Sequence, residues 1–128
     1  MYFDVPNLNI LKISRSKLNG IGKHFGVHLR NGYVVHLTVD HQIEFTTPEG
    51  FAQGRDVDIE SAIPEHQHQA VMDRLRLALA NPRPYHLGEW NCETFANWIT
   101  EGKSESQQVT GVVALAGLAL TVAAIASL

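Results

Sequence analysis

Sulfur is scarce in this sequence, with one cysteine and two methionines in 128 residues. A single cysteine excludes an internal disulfide and fits a reducing compartment. Positive charge is in deficit too. Ten Lys and Arg stand against thirteen Asp and Glu, a formal net charge of -3. With a pI of about 6.1 there is no basic field to attract nucleic acid. The opening residues, Met1-Tyr2-Phe3-Asp4-Val5-Pro6, have neither a basic flank nor an apolar run and are not expected to form a signal peptide. With 45% hydrophobic and 18% charged residues the composition is globular, and the length suits one domain with its own core.

The lone cysteine sits in Glu89-Trp90-Asn91-Cys92-Glu93-Thr94-Phe95-Ala96-Asn97-Trp98. Apolar residues recur from Cys92 at Phe95, Ala96 and Ile99, the spacing of one helical face. Asn91 suits the N-cap of that helix and Gly102 its C-terminal cap. Cys92 is therefore expected in the first turn, facing inward. There the helix dipole and free N–H groups favour a thiolate, the form that attacks carbonyl carbon. Free cysteine is equally at home as a small buried core residue. The local pattern leaves both roles open.

A hairpin carries three of the seven histidines. Lys23-His24-Phe25-Gly26-Val27-His28-Leu29 and Tyr33-Val34-Val35-His36-Leu37-Thr38-Val39 flank Arg30-Asn31-Gly32, a strong turn signal. A two-residue loop mixes apolar and polar side chains on one face. A three-residue loop with a left-handed Gly32 instead sets Leu29 opposite Tyr33. One face then carries Phe25, Val27, Leu29, Tyr33, Val35, Leu37 and Val39; the other carries His24, Gly26, His28, Val34, His36 and Thr38. A one-residue slip would flip every side chain, so the clean separation selects the three-residue loop. His36 then lies opposite Gly26 and diagonal to both His24 and His28, within side-chain reach of each.

Elsewhere the signals are coarser. Leu8 to Ser14 reads as a first strand, and Gln42 to Thr46 and Arg55 to Ile59 as short strand-like pieces around Thr47-Pro48-Glu49-Gly50. Pro64 to Ala80 turns helical, with Val71, Leu75, Ala78 and Leu79 on one face and His66 and His68 expected in solvent. The last twenty residues, Val109 to Leu128, carry no charge. As a helix they span roughly the 30 Å hydrocarbon layer of a bilayer. Residues 1–108 are accordingly expected to form the working domain and 109–128 a hydrophobic C-terminal membrane anchor.

Three hairpin histidines and one helix-start cysteine allow two chemistries. A histidine can activate Cys92 while a second polar residue orients it. Alternatively His24, His28, His36 and Cys92 can bind a transition metal, zinc by default. Metal sites usually announce themselves by paired short-range ligand motifs, and one sulfur is available here, so cysteine catalysis is preferred. Spacing alone does not choose between His24 and His28 as the base.

Asn91-Cys92-Glu93-Thr94-Phe95 resembles the Asn-Cys-Glu-His-Phe motif of the lecithin:retinol acyltransferase (LRAT)-like family. The segment His24 to Leu29, with Asn31 to Leu37 after it, resembles that family's first histidine box. The family also includes the H-Ras-like suppressor phospholipase-acyltransferases and is a permuted branch of the papain-like NlpC/P60 superfamily. The resemblance runs over about residues 8 to 108 and is strongest in the two motifs. It implies an α+β fold, a small antiparallel sheet packed against the cysteine helix. It also implies roles: Cys92 as acyl-accepting nucleophile, His24 as general base, His36 as the residue orienting the imidazole. It calls for no cofactor and no metal. His28 is then a neighbour lining the cleft, and Tyr33 a core residue. Two departures stand out: Thr94 replaces the motif histidine, and the glycine–aspartate entry before the first strand is missing around Asn7 to Leu11.

The expected activity is a thiol-dependent phospholipid acyl hydrolase or acyltransferase, intracellular and membrane-associated, with a lipid substrate and no nucleic-acid partner. An amidase or peptidase of the wider superfamily is the alternative enzyme. A non-catalytic membrane or metal-binding module on the same fold is the alternative outside enzymology.

Overall fold

The computed structural model describes residues 2–4, 8–18 and 20–103. After a 3-10 turn at Tyr2–Asp4 come strands β1 (Ile10–Ser16), β2 (Lys23–His28), β3 (Val34–Thr38) and β4 (Gln42–Thr46). The short helix α1 (Pro48–Ala52) and strand β5 (Asp58–Ile63) follow, then a 3-10 turn at Glu65–Gln67 and helices α2 (His68–Ala80) and α3 (Cys92–Glu101). The five strands form one antiparallel sheet in the order β4-β3-β2-β1-β5. The fold class is α+β, with the cysteine-bearing helix packed on the sheet, as expected.

The hairpin has the three-residue loop. Val27 pairs with Val35 and His28 with Val34, and the Leu29 N–H donates to the Tyr33 carbonyl at 2.8 Å. Gly32 has φ of 87°, the left-handed conformation the loop requires. The same register continued sets His36 opposite Gly26. Phe25, Val27, Leu29, Val35 and Leu37 join Val71 and Leu75 of α2 and Cys92, Phe95 and Ile99 of α3 in the main core. Full burial of a side chain such as Phe95 contributes roughly 1.5–3 kcal/mol. On the opposite face Leu11, Ile13 and Val34 pack with Tyr2 and Phe51 in a smaller cluster.

Helix α3 is capped as its sequence demands. The Asn91 side chain accepts from the Glu93 and Thr94 N–H groups, both at 3.0 Å, and the Asn91 N–H donates to Thr94 Oγ1 at 2.8 Å. Thr94, the departure from the family motif, thus closes a reciprocal capping box. Gly102 ends the helix with φ of 76°. Arg74 of α2 donates to the Ile99 and Thr100 carbonyls and ties the two helices together.

Several details depart from the sequence expectations. Tyr33 is 51% exposed rather than core, and Val39 is exposed as well, because both lie just beyond the ends of β3. Pro64 precedes the helix instead of opening it. His68, expected in solvent, is buried and donates from Nε2 to the Ile63 carbonyl at 2.9 Å. Leu79 is exposed while Val71, Leu75 and Ala78 are buried. Thr47-Pro48-Glu49-Gly50, read as a break between strands, opens helix α1, with Thr47 as its N-cap. Among the described residues no helix is long and apolar enough to cross a membrane. The expected anchor at residues 109–128, with its C-terminal hydrophobic helix, lies outside them.

Candidate functional site

The site gathers where β2, β3 and β4 lie side by side. His24 is the second residue of β2 and His36 the central residue of β3. Their rings meet with His24 Nε2 and His36 Nδ1 2.7 Å apart. The chain of contacts continues outward, for His36 Nε2 lies 2.8 Å from Glu44 Oε1. Glu44 is the direct cross-strand partner of His36 on β4. Phe51 of α1 covers both rings, stacked on His24 at 5.5 Å and edge-on to His36 at 5.7 Å. Gly26 makes room for that cover, since a Cβ there would lie 2.6 Å from Phe51 Cε1.

Cys92 stands at the first position of α3, buried to 1% exposure. Its sulfur packs against the stretch of β2 backbone that flanks His24. Sγ faces the Lys23 carbonyl at 3.9 Å, and the Phe25 backbone N–H also reaches it. The imidazole of His24 turns to the Phe51 side of the sheet, while the thiol belongs to the main core. The structure therefore joins His24 to His36, and places the sulfur beside the backbone of the same strand end rather than in hydrogen bond with the ring.

A cavity of about 580 Å³ opens over this region, lined among others by Arg15, Lys17, His24, His36, Glu44 and Tyr85. Two of these carry unspent polar groups. Lys17 is 4% exposed, and its buried Nζ has no hydrogen-bond partner. The Tyr85 hydroxyl is likewise buried without a well-formed hydrogen bond, and it lies beside the Cys92 backbone N–H. Arg15 is held by donating to the Phe51 carbonyl at 2.6 Å and to the Ser16 carbonyl at 3.1 Å.

Burial sets the protonation states. It lowers His24 from 6.5 to about 3, helped by the facing charges of His36, Arg15 and Lys17. His36 is lowered by burial too, against the opposing pull of Glu44. Burial lowers Lys17 from 10.5 to about 8. The Cys92 thiol is pushed up, because burial outweighs the Phe25 N–H and the Lys17 charge. The thiolate expected from the helix dipole is thus not the resting form. At neutral pH the sulfur and both imidazoles are uncharged.

His28 does not line the cavity. It is buried at the other end of β2, on the same face as His24, with Nδ1 2.8 Å from the Tyr2 hydroxyl. The four residues weighed as a metal set therefore do not assemble, and among the described residues no group of three or more His, Cys, Asp or Glu could hold a metal ion. Glu44, Lys17 and Tyr85 were not singled out in the sequence. Glu44 had a signal: placing Gln42 to Thr46 back against β3 through a three-residue turn sets it opposite His36. Lys17 and Tyr85 lie between regular elements, where no periodicity points to them.

The histidine pair and the capped cysteine helix are the parts that the resemblance of the two sequence motifs anticipated. The family resemblance itself is borne out by comparison with known families: the family described as Lecithin retinol acyltransferase matches residues 6–105. No curated protein and no solved structure gave a match. With the match covering most of its length, this chain belongs to the lecithin retinol acyltransferase family.

Proposed function

We propose that the protein is a thiol-dependent phospholipid acyl hydrolase or acyltransferase that works through an acyl-Cys92 thioester, inside the cell and at a membrane held by residues 109–128. Acyltransferase or phospholipase-type activity in general follows from its family. The finer reading rests above all on one observation, the 2.7 Å contact between His24 and His36 at the strand end where the Cys92 sulfur packs.

His24 spends Nε2 on His36, which leaves Nδ1, the ring nitrogen nearer the backbone, to act as base. For reaction the sulfur must leave the Lys23 carbonyl and come within reach of His24 Nδ1, a contact the resting arrangement does not make. The thiol proton passes to His24 Nδ1 as sulfur attacks the ester carbonyl. The developing oxyanion takes as donors the Cys92 backbone N–H and the Tyr85 hydroxyl that lies beside it. Collapse breaks the carbon–oxygen bond, and the leaving alkoxide recovers the proton from His24. Water, or an amine or alcohol acceptor, then attacks the thioester with His24 again as base.

His24 is uncharged at physiological pH, so a ring lone pair is open to the thiol proton. The test is turnover on phosphatidylcholine vesicles. Cys92→Ala is expected to fall to background and His24→Ala by roughly a hundred- to ten-thousandfold. Full turnover in Cys92→Ala would overturn the proposal, and turnover on peptide or amide substrates in place of esters would move the activity to the wider superfamily's chemistry.

A further inference from the structure

We infer that Glu44 is a positioning residue for the reaction, fixing which nitrogen of each imidazole carries the proton and so leaving the His24 Nδ1 lone pair free to accept the thiol proton. The inference rests on the proposed roles of Cys92 and His24 and adds a fourth member to them.

The logic is one of donors and acceptors. A carboxylate can only accept a hydrogen bond. His36 Nε2, 2.8 Å from Glu44 Oε1, must therefore be the protonated nitrogen of that ring. In a neutral imidazole the other nitrogen is then a pure acceptor, so His36 Nδ1 accepts across the 2.7 Å contact and His24 Nε2 donates. The proton of His24 is thereby fixed on Nε2, and its Nδ1 lone pair is left free. Without the carboxylate the chain can invert: His36 Nδ1–H would donate to His24 Nε2, moving the His24 proton to Nδ1, where it cannot accept the thiol's.

The geometry is imposed by the fold. Glu44 and His36 are directly opposed in the β3–β4 register, and Phe51 fixes both rings from above. The charges facing the pair from other elements, Arg15 on β1 and Lys17 just after it, both oppose protonation of His24. Glu44 is the anion in hydrogen-bond contact with the pair, and its other oxygen lies 4.0 Å from the exposed His41. When His24 takes the thiol proton, that carboxylate stabilises the new positive charge through His36. Burial alone keeps the rings neutral but does not choose a tautomer.

The experiment reads the imidazole nitrogens directly, by ¹⁵N NMR of the histidine-labelled full chain, alongside kcat and KM on phosphatidylcholine vesicles. Both His24 and His36 of the wild type are expected as Nε2–H tautomers, and this needs no variant that could fail to fold. In Glu44→Gln, whose amide can donate as well as accept, His36 is expected to become a tautomer mixture. Its kcat is expected to fall roughly ten- to hundredfold with KM unchanged, less than for a group touching the base itself. A wild-type His36 protonated on Nδ1, or a Glu44→Gln protein with unchanged tautomers and kcat, overturns the inference. Activity surviving Cys92→Ala would strike the thiol mechanism instead, while the tautomer measurement still decides the role of Glu44.

Discussion

The Cys92 sulfur faces the Lys23 carbonyl oxygen at 3.9 Å, one residue before the histidine that shares its strand end. A thiol so placed is buried, uncharged and turned to the backbone. Iodoacetamide is therefore expected to alkylate the folded protein slowly at neutral pH, with the midpoint of its pH–rate curve above that of an ordinary cysteine. Rapid alkylation at neutral pH, or a midpoint at or below that of an ordinary cysteine, would contradict this picture.

Acid should loosen the fold through His24. Its proton goes on near 6.5 in the unfolded chain but at about 3 in the folded one. Between those values the unfolded state holds the extra proton, so stability rises with pH across the window and is lost as pH falls. His36 and His28 are lowered by burial and act in the same direction. Thermal melts from about pH 7.5 to about pH 5, above the range where carboxylates titrate, are expected to show a falling Tm. His24→Gln should flatten the slope; a slope unchanged by that substitution would show that the ring is not buried as described.

The hairpin register and the caps of α3 were legible because each rests on a local rule. Only one loop length separates the apolar from the polar face around Asn31-Gly32, and Asn91 and Gly102 bracket one apolar helical face. The rest depended on contacts between distant segments. Nothing near His28 announces that Tyr2 will reach it, and nothing in His68's neighbourhood marks it for burial against Ile63. Helix α1 has five residues, too few for a periodic signal, and so the Phe51 cover on the histidine pair was invisible. Glu44 was missed because the β3–β4 turn carries no Asn-Gly signature and instead places Gln42 at φ of 54°.

Gly26→Ala probes that hidden cover. The added Cβ would stand 2.6 Å from Phe51 Cε1 and 3.1 Å from Val34 Cγ1, both on buried side chains. The ring must shift, and it is the ring that stacks on His24. A stability loss of roughly 1–3 kcal/mol is expected, together with a fall in turnover greater than the unfolded fraction accounts for. Activity that tracks the folded fraction alone would show that Phe51 packs without positioning the pair.

The central claim, that an acyl group passes through Cys92, is tested most directly by intact-protein mass spectrometry after brief mixing with phosphatidylcholine vesicles. The wild type is expected to gain the mass of one fatty acyl group, mapped to Cys92 and released by hydroxylamine. An active protein on which no acyl group is ever found, or one that carries it on another residue when Cys92 is alanine, would contradict the account.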